Sequence, residues 1–383
     1  MPVFSHPLPR PLDQPARDFL ARALETSFGG CIVSFTPETV HLSVDREVNP
    51  DTFSGVMRRL LYITKGMNID VLHENHPERA WSGDPQPVLE GRGDALRMAP
   101  GMFLLQGDFL RVHRALDAVL LKIARGLGAV EQDGPALWPV DLFDAINYFQ
   151  EFPQQVVLCA GVRPDFVSRD RFAAGRKRGA SGVPLDDTLA EASYGLQPAV
   201  CDCCYYTLRG RRDMPDSVYT IANKVYRNEV SATGGLDRLT AFTVRDIMAV
   251  GSELFVLDMR QRLMDTAVAL VQDLDLDCCI ETASDPFFTN ESAMKNVFQF
   301  ASRLKYEILV PLPHSGTRMA VGSINLHLDF FGRAFAILLP DGSPAHSCCL
   351  GLGFERLAYA LFCQYGPDLA AWPASLRERL GLG

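Results

Sequence analysis

Arg227, Glu229, Arg238, Phe242 and Asp246 fall within one stretch, YRNEVSATGGLDRLTAFTVRDIMAVG, from Tyr226 to Gly251. Guanidinium groups pair with phosphate oxygens, an aromatic ring offers a stacking surface, and Glu229 can accept a hydrogen bond from an exocyclic amine, so the set suits a nucleotide. Two apolar runs, one ending at Tyr226 and one starting at Ala241, flank a polar loop that holds Gly234 and Gly235. That pattern predicts a β-hairpin with a long turn. Alternate side chains of a strand share a face, which puts Arg227 with Glu229 and Phe242 with Asp246. A half-buried hairpin with a solvated charged face has the same pattern, and the residues alone leave both readings open.

A second set of chemistry-bearing residues is the cysteines. The ten cluster as Cys201, Cys203 and Cys204, then Cys278 and Cys279, then Cys348 and Cys349, with Cys31, Cys159 and Cys363 alone. Cys201 and Cys204 form a Cys-x-x-Cys, but a zinc knuckle needs a second pair and a redox pair needs a thioredoxin-like context; neither is evident. No N-terminal segment has the basic flank and apolar core of a signal peptide, and no apolar run reaches membrane-spanning length, so we expect a cytoplasmic protein with free thiols or metal ligands rather than disulfides. In GSINLHLDFFG, Ser323, Asn325, His327 and Asp329 share one face by period two, either as a polar pocket wall or as the outer face of an edge strand.

The elements that must position these groups read as follows. Residues 1 to 105 are expected to form a small α+β domain, with PARDFLARALETSF and FSGVMRRLLYITKGM as helices and CIVSFTPETVHLSV strand-like. This segment carries ten Lys and Arg against thirteen Asp and Glu and lacks coiled-coil heptads, so it does not look like a tRNA reader. Residues 106 to 383 are expected to form the catalytic domain, opening on a long amphipathic helix marked by Phe109, Val112, Leu116, Leu120, Ile123 and Leu127. Helices alternate with strands and hairpins after Gly251, which fits a mixed, mainly antiparallel sheet and an α+β fold. The formal charge of −9 argues against a general nucleic-acid binder. Against that acidity, 163–182 holds six Arg or Lys and two Asp, either a solvated face or a docking patch for an acidic partner.

Arg227-x-Glu229, a loop with Arg238, then Phe242 and Asp246 resemble motif 2 of class II aminoacyl-tRNA synthetases, in the seryl-tRNA synthetase branch. GLGFERLAYALF, with Gly351, Gly353, Glu355 and Arg356, resembles motif 3, and FDAINYFQEFPQQVV with Pro153 is compatible with motif 1. Within the branch, GSINLHLDFFG and AHSCCLGLGFER are similar to the amino acid:carrier protein ligases, synthetase-like enzymes without a tRNA-binding arm. The resemblance covers roughly Phe109 to Gly366.

It implies a class II fold, a homodimer, and activation of a small amino acid such as glycine or alanine by ATP, with Mg2+, as an aminoacyl adenylate. Transfer to the phosphopantetheine thiol of a carrier protein would follow, with 163–182 as a docking candidate and no tRNA. By the same resemblance Arg227 holds the α-phosphate, Arg238 and Arg356 hold the outer phosphates, Phe242 stacks on adenine and Glu229 meets its amino group. Ser323, Asn325 and His327 line the amino acid pocket, with His327 or His346 a candidate to assist thiol deprotonation. Cys201, Asp246 and Cys349 would hold Zn2+, with an open position for the substrate's α-amine. Glutamate is the family's residue at Asp246, one methylene longer, and this departure puts substrate side chain and metal occupancy in question. Two alternatives keep the fold: the same adenylation with a small-molecule amine or tRNA as acceptor, and a catalytically silent paralogue serving as a binding subunit.

Overall fold

The computed structural model describes residues 2–383 apart from Gly30, Arg46, Asn68, 177–181, Pro184, 229–234 and 286–292. Its N-terminal elements are β1 (Val3–Pro7), α1 (Gln14–Phe28), β2 (Ile32–Phe35), β3 (Thr39–Ser43) and α2 (Pro50–Gly66). Asp13 starts α1 by accepting from the Ala16 amide, and Gly29 ends it at φ 55°, a conformation that favours glycine. β1 and β2 flank β3 in an antiparallel sheet. Leu20, Ala23 and Leu24 from α1 pack with Val40, Leu42 and Met57 into a core of this segment's own.

The chain continues through β4 (Val71–Asn75), α3 (Gln86–Arg92), β5 (Ala95–Ala99), β6 (Met102–Leu105), α4 (Gly107–Gly126), β7 (Val130–Gln132) and β8 (Leu137–Pro139). Then come α5 (Val140–Ala145), α6 (Tyr148–Glu151), β9 (Leu158–Cys159), α7 (Phe166–Gly175), β10 (Tyr194–Leu196) and α8 (Cys201–Thr207). The last third holds β11 (Ser217–Tyr226), β12 (Ala241–Gly251), α9 (Glu253–Asp273), β13 (Cys278–Thr282), α10 (Ala293–Ala301), β14 (Lys305–Leu312) and β15 (Thr317–Leu328). It closes with α11 (Phe330–Ala334), β16 (His346–Gly353), α12 (Phe354–Tyr365) and α13 (Ala374–Arg379). Within 1–105, β4 pairs with β13, while the elements before it enclose their own core.

An eight-stranded sheet, ordered β4-β13-β14-β15-β16-β12-β11-β7, organises the rest. Every pairing in it is antiparallel except β11 with β7, as the α+β reading expects. Period two divides its side chains. Ile247, Ala249, Leu350 and Leu352 point to one face, under α4, α9 and α12. Phe109, Val112, Leu116 and Leu120 line the buried stripe of α4, and Phe109 stacks on Phe362 of α12 with centroids 5.6 Å apart. Phe242, Met248 and Cys349 point to the other face, toward α8 and α11. Among the described residues no helix is long and apolar enough to cross a membrane.

One buried carboxylate fastens the hairpin to α12. Glu355, 2% exposed, accepts from the Thr243 amide at 2.7 Å, its hydroxyl at 2.9 Å and Lys224 Nζ at 2.6 Å, with His113 Nε2 at 3.4 Å. Lys224 and Thr243 are cross-strand partners in β11 and β12. Burial opposes the charge, yet the neighbouring His113 ring and the Lys224 ammonium outweigh it, taking the carboxyl from its usual 4.5 to about 2. A depressed carboxyl contributes stability that is complete above the unfolded value and vanishes as pH falls through the folded one. We therefore expect Glu355→Gln to cost about 3 kcal/mol at neutral pH. Its unfolding free energy should converge on the wild type's between pH 4.5 and about 2. Denaturant melts of both proteins across that window check it; a constant gap would refute it.

Candidate active site

Cys201, Asp246 and Cys349 meet in space, although they come from a helix and two strands. One donor atom from each, two thiols and a carboxylate oxygen, lie within 4.8 Å of one another, and all three residues are buried. The register explains how: Asp246 of β12 pairs with Gly351 of β16, and Cys349 lies two residues along the same face. Gly351 leaves room, since a Cβ there would run into the Asp246 carboxylate. Cys201 reaches the pair from the first turn of α8. Adjacent residues of a strand point to opposite faces, as Cys348 and Cys349 of β16 do. Cys348 turns to the Val256 carbonyl of α9 on the far face. Cys201, Cys203 and Cys204 instead belong to a helix, where about 100° per residue separates them.

The ionisable groups of the cluster perturb one another. The two thiols act on one another, Cys349 being held well below the usual thiol range and Cys201 raised, while Cys201 Sγ donates to Asp202 Oδ1 at 3.4 Å. Burial, and then the neighbouring Cys349 thiolate, push Asp246 well above the usual carboxylate range. Asp202, beside it, is raised by burial to about 6. Two sulfur donors and one oxygen, buried and within 4.8 Å of one another, are the chemistry of a soft-to-borderline divalent cation, and aspartate reaches the cluster despite its shorter arm.

Around the cluster the sheet carries a polar row. Asp246, Gly351, Ser323, Glu307 and Glu281 lie opposite one another across β12, β16, β15, β14 and β13; Cys349, Asn325 and Lys305 form the next row. Asn325 Nδ2 donates to Ser323 Oγ at 3.1 Å and lies 3.5 Å from Cys349 Sγ, while His327 Nε2 is 3.7 Å from the same sulfur. Ser347 Oγ holds the other His327 nitrogen at 3.0 Å. Burial lowers the His327 pKa, but the Cys349 thiolate raises it further, leaving it above its usual value. Asp329 departs from the face expected for it. Leu328 takes a positive φ of 54°, which breaks the alternation, and Asp329 stands just before α11, where its side chain pairs with Arg333 at 2.6 Å. His346 stands at the start of β16.

Arg227 and Arg356 both approach the Phe242 ring, with guanidinium carbons 5.5 and 5.9 Å from its centroid. Arg227 Nε donates to the Pro198 carbonyl at 3.0 Å, and Arg356 Nη1 to Ala320 at 3.2 Å. The Arg227 charge also acts on Asp246 and Asp202, so the arginine pair and the cysteine cluster share one region. Arg238, from the same hairpin, pairs with Glu25 of α1 at 3.1 Å. Glu229 lies outside the described residues.

Sequence reasoning passed over the ionic network on the floor of this face. Lys305 pairs with Asp285 at 2.7 Å and Glu307 at 3.1 Å, and Arg318 binds both oxygens of Glu281 at 3.0 Å. Its signal was there: a lysine and a glutamate two apart in the otherwise apolar KYEILVPL.

No protein-family model matches the chain. Amino acid–[acyl-carrier-protein] ligase 1 of Bradyrhizobium diazoefficiens is 35% identical over 318 residues, covering 82% of this chain and 96% of that protein. This chain belongs to the amino acid–[acyl-carrier-protein] ligase family. It is therefore an enzyme of the ligase class. A type-2 serine–tRNA ligase of Methanothermobacter thermautotrophicus is 25% identical to this ligase over 278 residues, which span 70% of the chain and 54% of that protein. Among solved structures, M. kandleri SerRS, crystallised with A. aeolicus tRNASec, superposes with a TM-score of 0.71 at 20% identity, over 99% of this ligase and 77% of that chain. At that identity the likeness establishes the fold, which is that of the seryl-tRNA synthetases.

Proposed function

We propose that the ligase activates a small amino acid with ATP, releasing pyrophosphate, and passes the aminoacyl group from the adenylate to the phosphopantetheine thiol of a carrier protein. The observation that carries this reading is the placement of the Cys201–Asp246–Cys349 cluster on the same sheet face as the arginine pair around Phe242. In the first half the amino acid carboxylate attacks the α-phosphorus of magnesium-bound ATP, and charge on the phosphoryl group is the obstacle. Arg227 is assigned to the α-phosphate, Arg356 and Arg238 to the outer phosphates, and Phe242 to adenine; fixed cations there lower the barrier without reorganising. Zn2+ held by Cys201, Asp246 and Cys349 would supply an open position for a neutral α-amine, selecting amino acids over plain acids. Ser323, Asn325 and His327 are assigned to the amino acid pocket beside it; Asn325 and His327 stand 3.5 and 3.7 Å from Cys349 Sγ, which supports a short substrate side chain.

In the second half the thiol attacks the mixed anhydride, forming the thioester and expelling AMP, so no protein nucleophile is required. Carrier protein docking is assigned to the 163–182 segment. There Phe166 and Val167 stand exposed beside Arg163 and Arg169, while Arg171 is held by Asp187 at 2.9 Å; Lys177 to Ser181 lie outside the described residues. A homodimer belongs to the same reading, carried over from the class II fold. Pyrophosphate exchange across the proteinogenic amino acids tests the first half, with turnover expected for glycine or alanine. Absence of exchange with every one would end the proposal. Transfer assays with pantetheinylated carrier protein and with total tRNA then decide the acceptor, the carrier being the expected one.

A further inference from the structure

Helix α1 reaches the catalytic face through two carboxylates on one of its sides. Asp18 and Glu25 are seven residues apart, two helical turns. Glu25 Oε2 pairs with Arg238 Nη1 at 3.1 Å, and Asp18 Oδ2 with Arg318 at 2.8 Å; all four side chains are at most 27% exposed. Both arginines border the arginine pair already described. Arg238 precedes Phe242 by four residues, and Arg318 precedes by two the Ala320 carbonyl that anchors Arg356. Pro15 and Phe19 of the same helix wall a cleft floored by Glu281, Glu307 and Arg318, members or neighbours of the polar row that runs to Asp246. Thus α1 packs against the site face and pairs with two of its cations.

We propose that α1 is an acidic lid. Its carboxylates occupy Arg238 and Arg318 where a polyphosphate would otherwise draw them, and nucleotide binding must exchange one set of anions for the other. This rests on the assignment of Arg238 to the outer phosphates of ATP. A protein that spends part of its time with the cations occupied binds ligand with an affinity reduced by the open fraction. The cost falls on ATP. AMP, which has no outer phosphates, does not compete for Arg238.

Calorimetric titration of the full-length wild type and the Asp18→Asn/Glu25→Gln variant with magnesium ATP and with AMP tests this. The variant should bind ATP about fivefold or more tightly than the wild type, with AMP affinity unchanged. Amide hydrogen exchange over 14–28 in the wild type should quicken when ATP is added. Equal AMP binding by the two proteins also shows that the variant is folded. Unchanged or weaker ATP binding, or an equal gain for ATP and AMP, overturns the lid while leaving the nucleotide site intact. Failure of both proteins to bind either nucleotide overturns the nucleotide assignment itself and the lid with it.

Discussion

On the proposed function, Cys349→Ser should purify with less divalent metal per chain than the wild type and cut pyrophosphate exchange by more than about a hundredfold. Serine's hydroxyl does not ionise near neutral pH, so the cluster would keep only Cys201 and Asp246 as donors. The remaining pair would also lose the thiolate that Cys201 and His327 stabilise. Cys348→Ser is the paired control, since that thiol faces the Val256 carbonyl on the opposite side of the sheet. Elemental analysis of metal per chain, with exchange on the same preparations, gives the answer. Full metal content and activity in Cys349→Ser would remove the cluster from the chemistry.

Arg356→Ala should lower kcat/KM for exchange by on the order of 10²- to 10³-fold while metal content and melting temperature stay close to wild type. Its guanidinium lies against Phe242 and donates to the Ala320 carbonyl of β15, which holds it in the region assigned to the nucleotide. Lysine should restore little, because a point charge lacks the planar fork that meets two phosphate oxygens. Exchange kinetics that match the wild type would take Arg356 out of the phosphate site.

The strongly periodic parts of the fold were legible from the sequence. The stripe from Phe109 to Leu127 became α4, the long apolar pattern after Ser252 became α9, and the runs around Gly234 and Gly235 became β11 and β12. What escaped depends on partners distant along the chain. Cys201 sits on a helix because the short CDCCYYT run is set by packing against β16 and α11, which no local pattern reports. Arg238 finds its carboxylate more than two hundred residues upstream in α1, and Glu355 finds His113 in α4. The Asp329 side chain left its expected face through one left-handed residue, Leu328, a conformation that leucine's own propensity does not favour.

The contact between Asp246 and Gly351 ties the histories of two positions together. With the Asp246 carboxylate leaning over the neighbouring strand, a Cβ at 351 would come within 2.3 Å of its oxygen, so any larger residue there forces the carboxylate out of its place in the cluster. A residue at 351 and the acid at 246 therefore act as one unit, and a change at either is felt by the ligand set.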